Sequence, residues 1–112
     1  MKLRPAGEKK DGFILPGATE FARDLGLTKE RFRKGTYLFK KGNEIYISFI
    51  YSLQEGQGHF KELIENCIKK GYTVKIPTPM GRMVDIVKKN GYEKRLEFSE
   101  EMGESVEVWV KE

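Results

Sequence analysis

The sequence predicts an α/β fold with a mixed sheet, helices on both of its faces and a C-terminal β-hairpin. Three observations carry that expectation. Two β-rich runs flank Lys41-Gly42-Asn43, a turn signal between neighbouring strands. The second run is followed by a helical pattern and then a strand from Thr73 to Ile76, a strand–helix–strand crossover that favours a parallel pair. The chain closes on two more β-rich runs, residues 92–98 and 106–110, either side of Met102-Gly103.

The elements follow in order within one domain spanning residues 1–112. Residues 1–12 are polar and read as a loose tail. Phe13 to Leu15 is a short apolar run closed by Pro16-Gly17, a strand or an anchor. Between Ala18 and Lys34 the apolar positions predict two short helices, the first ended by Gly26 and the second capped by Thr28. In the run after Asn43, Ile45, Ile47, Phe49, Tyr51 and Leu53 fall on one face, Tyr46 and Ile50 on the other. A strand apolar on both faces belongs in the middle of its sheet. Phe60, Leu63, Ile64, Cys67 and Ile68 recur at three- and four-residue spacing, a helix with one buried stripe that Gly71 ends. Pro77 and Pro79 stop the next strand; Met83, Val84, Ile86 and Val87 mark a further helix, ended by Asn90-Gly91.

Composition narrows the functional classes. Twenty-one Lys and Arg against 17 Asp and Glu leave a net charge of +4, interspersed along the chain. That balance suits an anionic ligand and equally a solvated surface. Without a basic block or an aromatic ladder, nucleic acid is the weaker expectation for a partner. The longest apolar run, Ile45 to Leu53, is broken by Ser48 and Ser52, so no membrane span is expected. The start, MKLRPAGEKKDG, has the charge of a signal peptide without an apolar core behind it. Cys67 is the only cysteine, which excludes an internal disulfide and points to a reducing, cytoplasmic setting. One His and one Cys cannot supply a structural zinc site.

The stretch that carries chemistry is Gln54-Glu55-Gly56-Gln57-Gly58, between the central strand and a helix. A helix start has backbone N–H groups without partners and partial positive charge, and glycines let a phosphate approach it closely. The same glycines also serve a plain tight turn. A Walker A loop is excluded because no Gly-Lys-Ser/Thr follows. A dinucleotide fold lacks its third glycine, and Lys75 stands where an acidic residue is wanted.

Taken with "YTVKIPTP", "GRMVDIVKKNGYE" and the terminal hairpin, this stretch resembles the GNAT acetyltransferase superfamily, from Thr36 to Val110. The resemblance implies an acetyl-coenzyme A site and transfer of acetyl to an amine, on a small molecule or a peptide. The coenzyme would meet Phe49, Ile50, Tyr51 and Leu53 along the strand. Its pyrophosphate would meet Gln54, Gly56, Gln57, Gly58 and His59 at the helix start. For the proton of the attacking amine, Glu44 could act through water, with Tyr46 beside it on the same strand face. Glu44 reads equally as a hairpin-end charge, and His59 as a phosphate contact or surface residue. Three family positions depart: Leu53 stands where the loop usually has Gln or Arg, with Gln54 one place late, Val87 where a Tyr commonly protonates the thiolate, and Met80 where an Asn is frequent. A non-catalytic module binding coenzyme A, a protein or nucleic acid is therefore a second expectation. A third is a basic adaptor using Lys9, Lys10, Arg31, Arg33 and Lys34. Trp109 reads as core or as a dimer surface, so the assembly is a monomer or a homodimer.

Overall fold

The Gly42-Asn43 turn and the crossover to Thr73 set the order of the sheet. The computed structural model describes residues 11–53, 58–100 and 102–112. The elements are β1 (Gly12–Ile14), α1 (Glu20–Leu25), β2 (Tyr37–Lys41), β3 (Glu44–Phe49), α2 (His59–Lys69), β4 (Thr73–Pro77), α3 (Arg82–Lys89), β5 (Glu93–Ser99) and β6 (Glu104–Lys111). They form one six-stranded sheet in the order β1-β2-β3-β4-β6-β5. The β3–β4 pair is parallel and the other pairs are antiparallel, so the fold is α/β with a mixed sheet.

Local chemistry explains where the helices begin and end. The Thr19 hydroxyl accepts the Ala22 N–H at 3.1 Å and so caps α1. At the end of α2, Gly71 at φ 92° lets its N–H reach the Ile68 carbonyl at 2.9 Å. The Tyr72 N–H then reaches the Cys67 carbonyl at 3.1 Å, completing a Schellman motif. The chain is turned straight into β4. Phe21, Ala22 and Leu25 of α1 pack in one core with Leu63, Ile64 and Cys67 of α2. The Asn66 amide adds a bond to the Leu25 carbonyl at 2.8 Å.

All three helices lie on one face of the sheet, which corrects the expectation of helices on both. Val87 of α3 is in the same core as the residues of α1 and α2, over Ile14, Leu38, Ile45, Ile47, Val74 and Ile76. The reason is topological. The step from β3 to β4 and the step from β4 over β6 to β5 move the same way across the sheet. Right-handed crossovers moving in one direction put their helices on one side; a two-sided layer needs a reversal. Among the described residues no helix covers the outer face, which carries Phe13, Phe39 and Tyr46. The Phe13 ring meets Phe39 edge-on at 5.2 Å.

Three smaller expectations also change. Thr28 starts a single turn, accepting from Arg31 and Phe32, and no second helix follows. Phe32 is 1% exposed and bridges Ser52 in antiparallel fashion, so burial at the sheet edge outweighs a costly helix nucleus. The expected tail gives way at Asp11 and Gly12: Gly12 opens β1, and the Asp11 carboxylate accepts the Gly42 N–H at 2.9 Å. Residues 1–10 lie outside the described residues. The face pattern of the central strand breaks as well. β2 and β3 are in register from Lys41–Glu44 to Leu38–Ile47, but Tyr37 pairs with Phe49. Ser48 is thus an extra residue, a bulge in β3. One extra residue exchanges the two faces beyond it, so Ile50 joins Ile45 and Ile47 against the core instead of Tyr46.

Gly71 gives a direct check on the α2–β4 junction. A Cβ there would meet nothing within 4 Å, so only its left-handed backbone is at stake. Gly71→Ala is expected to lower unfolding stability by about 1–2 kcal/mol, and Gly71→Asn by less. Equal urea midpoints for wild type and Gly71→Ala would contradict this.

Candidate functional site

The bulge decides where the sheet opens. β3 pairs with β4 only from Glu44–Thr73 to Tyr46–Lys75. Past that rung the strands part. A bulge bends and twists its strand, and here it carries residues 50–53 away from β4 toward the Arg31–Arg33 segment. The Arg33 N–H reaches the Tyr51 carbonyl at 2.8 Å, and the Leu53 N–H reaches the Arg31 carbonyl at 2.8 Å. The Tyr51 N–H takes the Thr36 hydroxyl at 2.8 Å. Backbone groups alternate along an extended chain, so the N–H and C=O groups of Ile50 and Ser52 face the gap beside β4.

Over that gap lies a cavity of about 560 Å³. Its size falls within the roughly 300–1,000 Å³ usual for small-molecule and cofactor sites. It sits at the C-terminal ends of a parallel pair, the ordinary ligand position in an open α/β sheet. Ile47, Ile50 and Ile76 supply its floor from the sheet. Phe60 and Ile64 of α2 stand on one side, Met83 and Ile86 of α3 on the other. The charged lining is mostly basic, Lys61, Arg82 and Lys111 against the carboxylate of Glu65, and Ser52, His59, Thr78, Asn90 and Tyr92 add neutral polar groups.

The α2 N-terminus opens on this cavity. Gly58 is its cap, at φ 75° and ψ 13°, with no side-chain hydrogen bond to the first turn. Among the described residues, a Cβ on Gly58 would meet nothing within 4 Å, so its left-handed backbone is the constraint there. The buried Nδ1 atom of His59 has no hydrogen-bond partner among the described residues. A buried polar atom left unpaired costs free energy that a bound donor would recover. Opposite, Thr78 lines the cavity at φ 40°, the one positive-φ residue other than glycine among the described residues. It lies between Pro77 and Pro79 and is held by its N–H bond to the Glu107 carbonyl at 2.8 Å. A β-branched residue in this region is strained, and such strain concentrates at binding and catalytic sites.

Compared with known proteins, the chain matches no family model, no curated protein and no solved structure.

The residues expected from the sequence fall into three groups. Ile50, Tyr51, Gly58 and His59 line the cavity together. Phe49 ends β3 at the bulge, and Leu53 follows it, 49% exposed, with its N–H bound to Arg31. Gln54, Gly56 and Gln57 lie outside the described residues. Glu44 and Tyr46 form the third group and are not among the residues lining the cavity. Both belong to the outer face with Lys75, which pairs with Glu44 and bonds the Glu97 carboxylate at 2.9 and 3.1 Å. The Tyr46 hydroxyl donates to Glu44 at 3.2 Å. The Lys75 hydrogen bond holds the Glu44 carboxyl below its ordinary range, against the opposing effect of burial. That suits an ion pair and works against a base. Val87 is fully buried in the core, and Cys67 is a buried thiol pushed up to about 12 by burial. Neither serves the cavity.

Phe32, Thr78, Arg82 and Tyr92 were not legible as site residues. Tyr92 reads from sequence as the start of a strand; only the return of the chain under α3 brings it to the cavity. Burial raises the Tyr92 phenol above its ordinary value, so it stays protonated at neutral pH. Arg31, proposed for an anionic partner, is engaged with Glu62 at 2.6 Å, and Arg33 stacks over Tyr51 at 5.8 Å. Lys9 and Lys10 lie outside the described residues.

The outer-face network has a pH signature. Glu44 titrates below its usual 4.5, so its contribution to stability is full above that pH and is lost as pH falls through the lower folded value. For Lys75, burial pulls the pKa down, but its hydrogen bonds to the Glu44 and Glu97 carboxylates outweigh that. Its raised value makes its contribution full below the ordinary 10.5 and lost as pH rises through the folded value. Lys75→Met is expected to destabilise by about 1–3 kcal/mol at neutral pH, and the deficit should shrink below about pH 4. Urea midpoints measured across the pH range for both proteins test this; two parallel curves would remove the network from the account.

Proposed function

We propose that the chain binds acetyl-coenzyme A at the gap between β3 and β4 and transfers its acetyl group to an amine. The observation that carries this reading is the parting of the parallel pair at a bulge, with the Ile50 and Ser52 backbone turned toward a cavity and the start of α2 at its mouth. Each part meets one part of the coenzyme. The pantetheine arm is a chain of amides that pairs with the Ile50 and Ser52 backbone as an added strand. The pyrophosphate takes the first-turn N–H groups of α2 beside Gly58, with Lys61 and Arg82 near. The thioester then lies over the apolar floor of Ile47 and Ile76, and a backbone N–H near the bulge stabilises charge on its carbonyl oxygen.

Chemistry in this site leans on the substrates themselves. A thiolate of pKa about 8.5 can leave without an acid, and an amine can attack once it has lost its proton. Tyr92 supplies a protonated phenol on the cavity wall. A second reading, a module that holds the coenzyme without turnover, is favoured by one observation: Val87 is sealed in the core and Glu44 is held by Lys75 on the other face.

Calorimetry and thermal melting with acetyl-coenzyme A test the binding. A ligand at about 100 times its dissociation constant should add roughly 2.7 kcal/mol. Gly58→Glu, which sets a carboxylate before the phosphate site, should abolish the heat of binding while the far-UV dichroism remains folded. No heat and no shift with the wild-type protein would end the coenzyme reading. Thiol release over a panel of amines separates the two versions. The enzyme should show a rate that rises with pH as the amine loses its proton. Binding without release from any amine would leave the module.

A further inference from the structure

The last hairpin presents an edge that the cavity does not use. β5 is the outermost strand of the sheet, seven residues long, and its pairing with β6 runs from Glu93–Val110 to Ser99–Glu104 without a bulge. It contains no proline. Such an edge offers a row of backbone donors and acceptors to another strand; of the devices that blunt an unused edge it has neither proline nor bulge, only its charges Glu93, Lys94, Arg95 and Glu97, which the pairing below has to match. Leu96 and Phe98 stand on the helix-bearing face of this strand, 73% and 67% exposed, with Met102 at the tip 63% exposed. Glu93, Arg95 and Glu97 alternate with them on the outer face. We propose that two copies of the chain pair antiparallel through their β5 edges, about a twofold axis at Leu96, to make one continuous sheet.

The sequence of the edge selects both the partner and the register. In a continuous antiparallel sheet with its twofold normal to the plane, facing residues share a face, so the axis falls on a residue. Centred on Leu96, the strand opposes itself as Leu96 to Leu96, Arg95 to Glu97, Lys94 to Phe98 and Glu93 to Ser99. Every charge faces an opposite charge, an aromatic ring or a hydroxyl, and the exposed leucines meet. Centring on Arg95 sets Arg95 against Arg95 and Glu93 against Glu97. A centre on Glu97 sets Glu97 against itself, and one on Lys94 sets Lys94 against itself. Like charges directly opposite are destabilising. A centre on Phe98 opposes no like charges but pairs only residues 97–99 of the strand, so the Leu96 register is the self-complementary one that engages all seven residues. The opposite edge, β1, has three residues, so pairing through β5 closes at two copies.

Sedimentation of the full chain should give twice the 13.0 kDa chain mass, and Leu96→Asp, which sets two carboxylates on the axis, should sediment as a monomer with unchanged dichroism. Register is read by cross-linking; buried Cys67 stays out of the reaction. Leu96→Cys alone should oxidise to a covalent dimer. Lys94→Cys and Phe98→Cys should each fail alone and cross-link when mixed. A monomer at every concentration, a mass that grows without plateau, or a Lys94→Cys homodimer would each overturn the proposal.

Discussion

The fold turns on one extra residue. Ser48, inserted in β3 against the Tyr37–Leu38 step, ends the regular ladder and separates the central strand from its parallel neighbour. The consequences run in two directions. Toward the core, the bulge moves Ile50 onto the face of Ile47 and gives the cavity its apolar floor. Toward the edge, it hands the chain to Arg31 and Arg33, whose backbone pairs with Tyr51 and Leu53 and leaves the groups of Ile50 and Ser52 turned to the gap. The rest of the architecture serves this opening. α2 and α3 are placed on one side because both crossovers run the same way, and together they wall the gap.

Strand pairing and helix placement were legible where periodicity and turn chemistry agreed. Lys41-Gly42-Asn43 fixed the hairpin, the Leu63–Ile64–Cys67 stripe fixed α2, and Pro77 fixed the end of β4. Alternation failed at the bulge, because nothing in the residues around Ser48 announces an insertion in the ladder. Every face assigned beyond it was therefore shifted by one. The one-sided helix layer was hidden for another reason. It depends on β5 lying beyond β4 on the side away from β3, a placement that no local pattern encodes.

The site divides along the same line. Ile50, Tyr51, Gly58 and His59 were found because a strand-to-helix turn is a local event with its own glycine signature. Glu44 and Tyr46 were assigned to the same site on strand position alone, and their outer-face partners draw them elsewhere. Tyr92, Thr78 and Phe32 come from distant segments and carry no motif. Their membership follows from tertiary packing, which is where the sequence pattern is silent.

Lys75 shows a mechanical side of the same arrangement. The gap between β3 and β4 is a crack in the sheet, and a crack that holds a ligand needs a tip that does not run. Tyr46–Lys75 is the last rung before it. At that rung the ammonium ties the carboxylate of β3 to that of β5 across β4 and β6. The tie works as a rivet through four strands. Whatever wedges into the opening loads the rivet first, and the Gly42–Asn43 hairpin behind it stays shut.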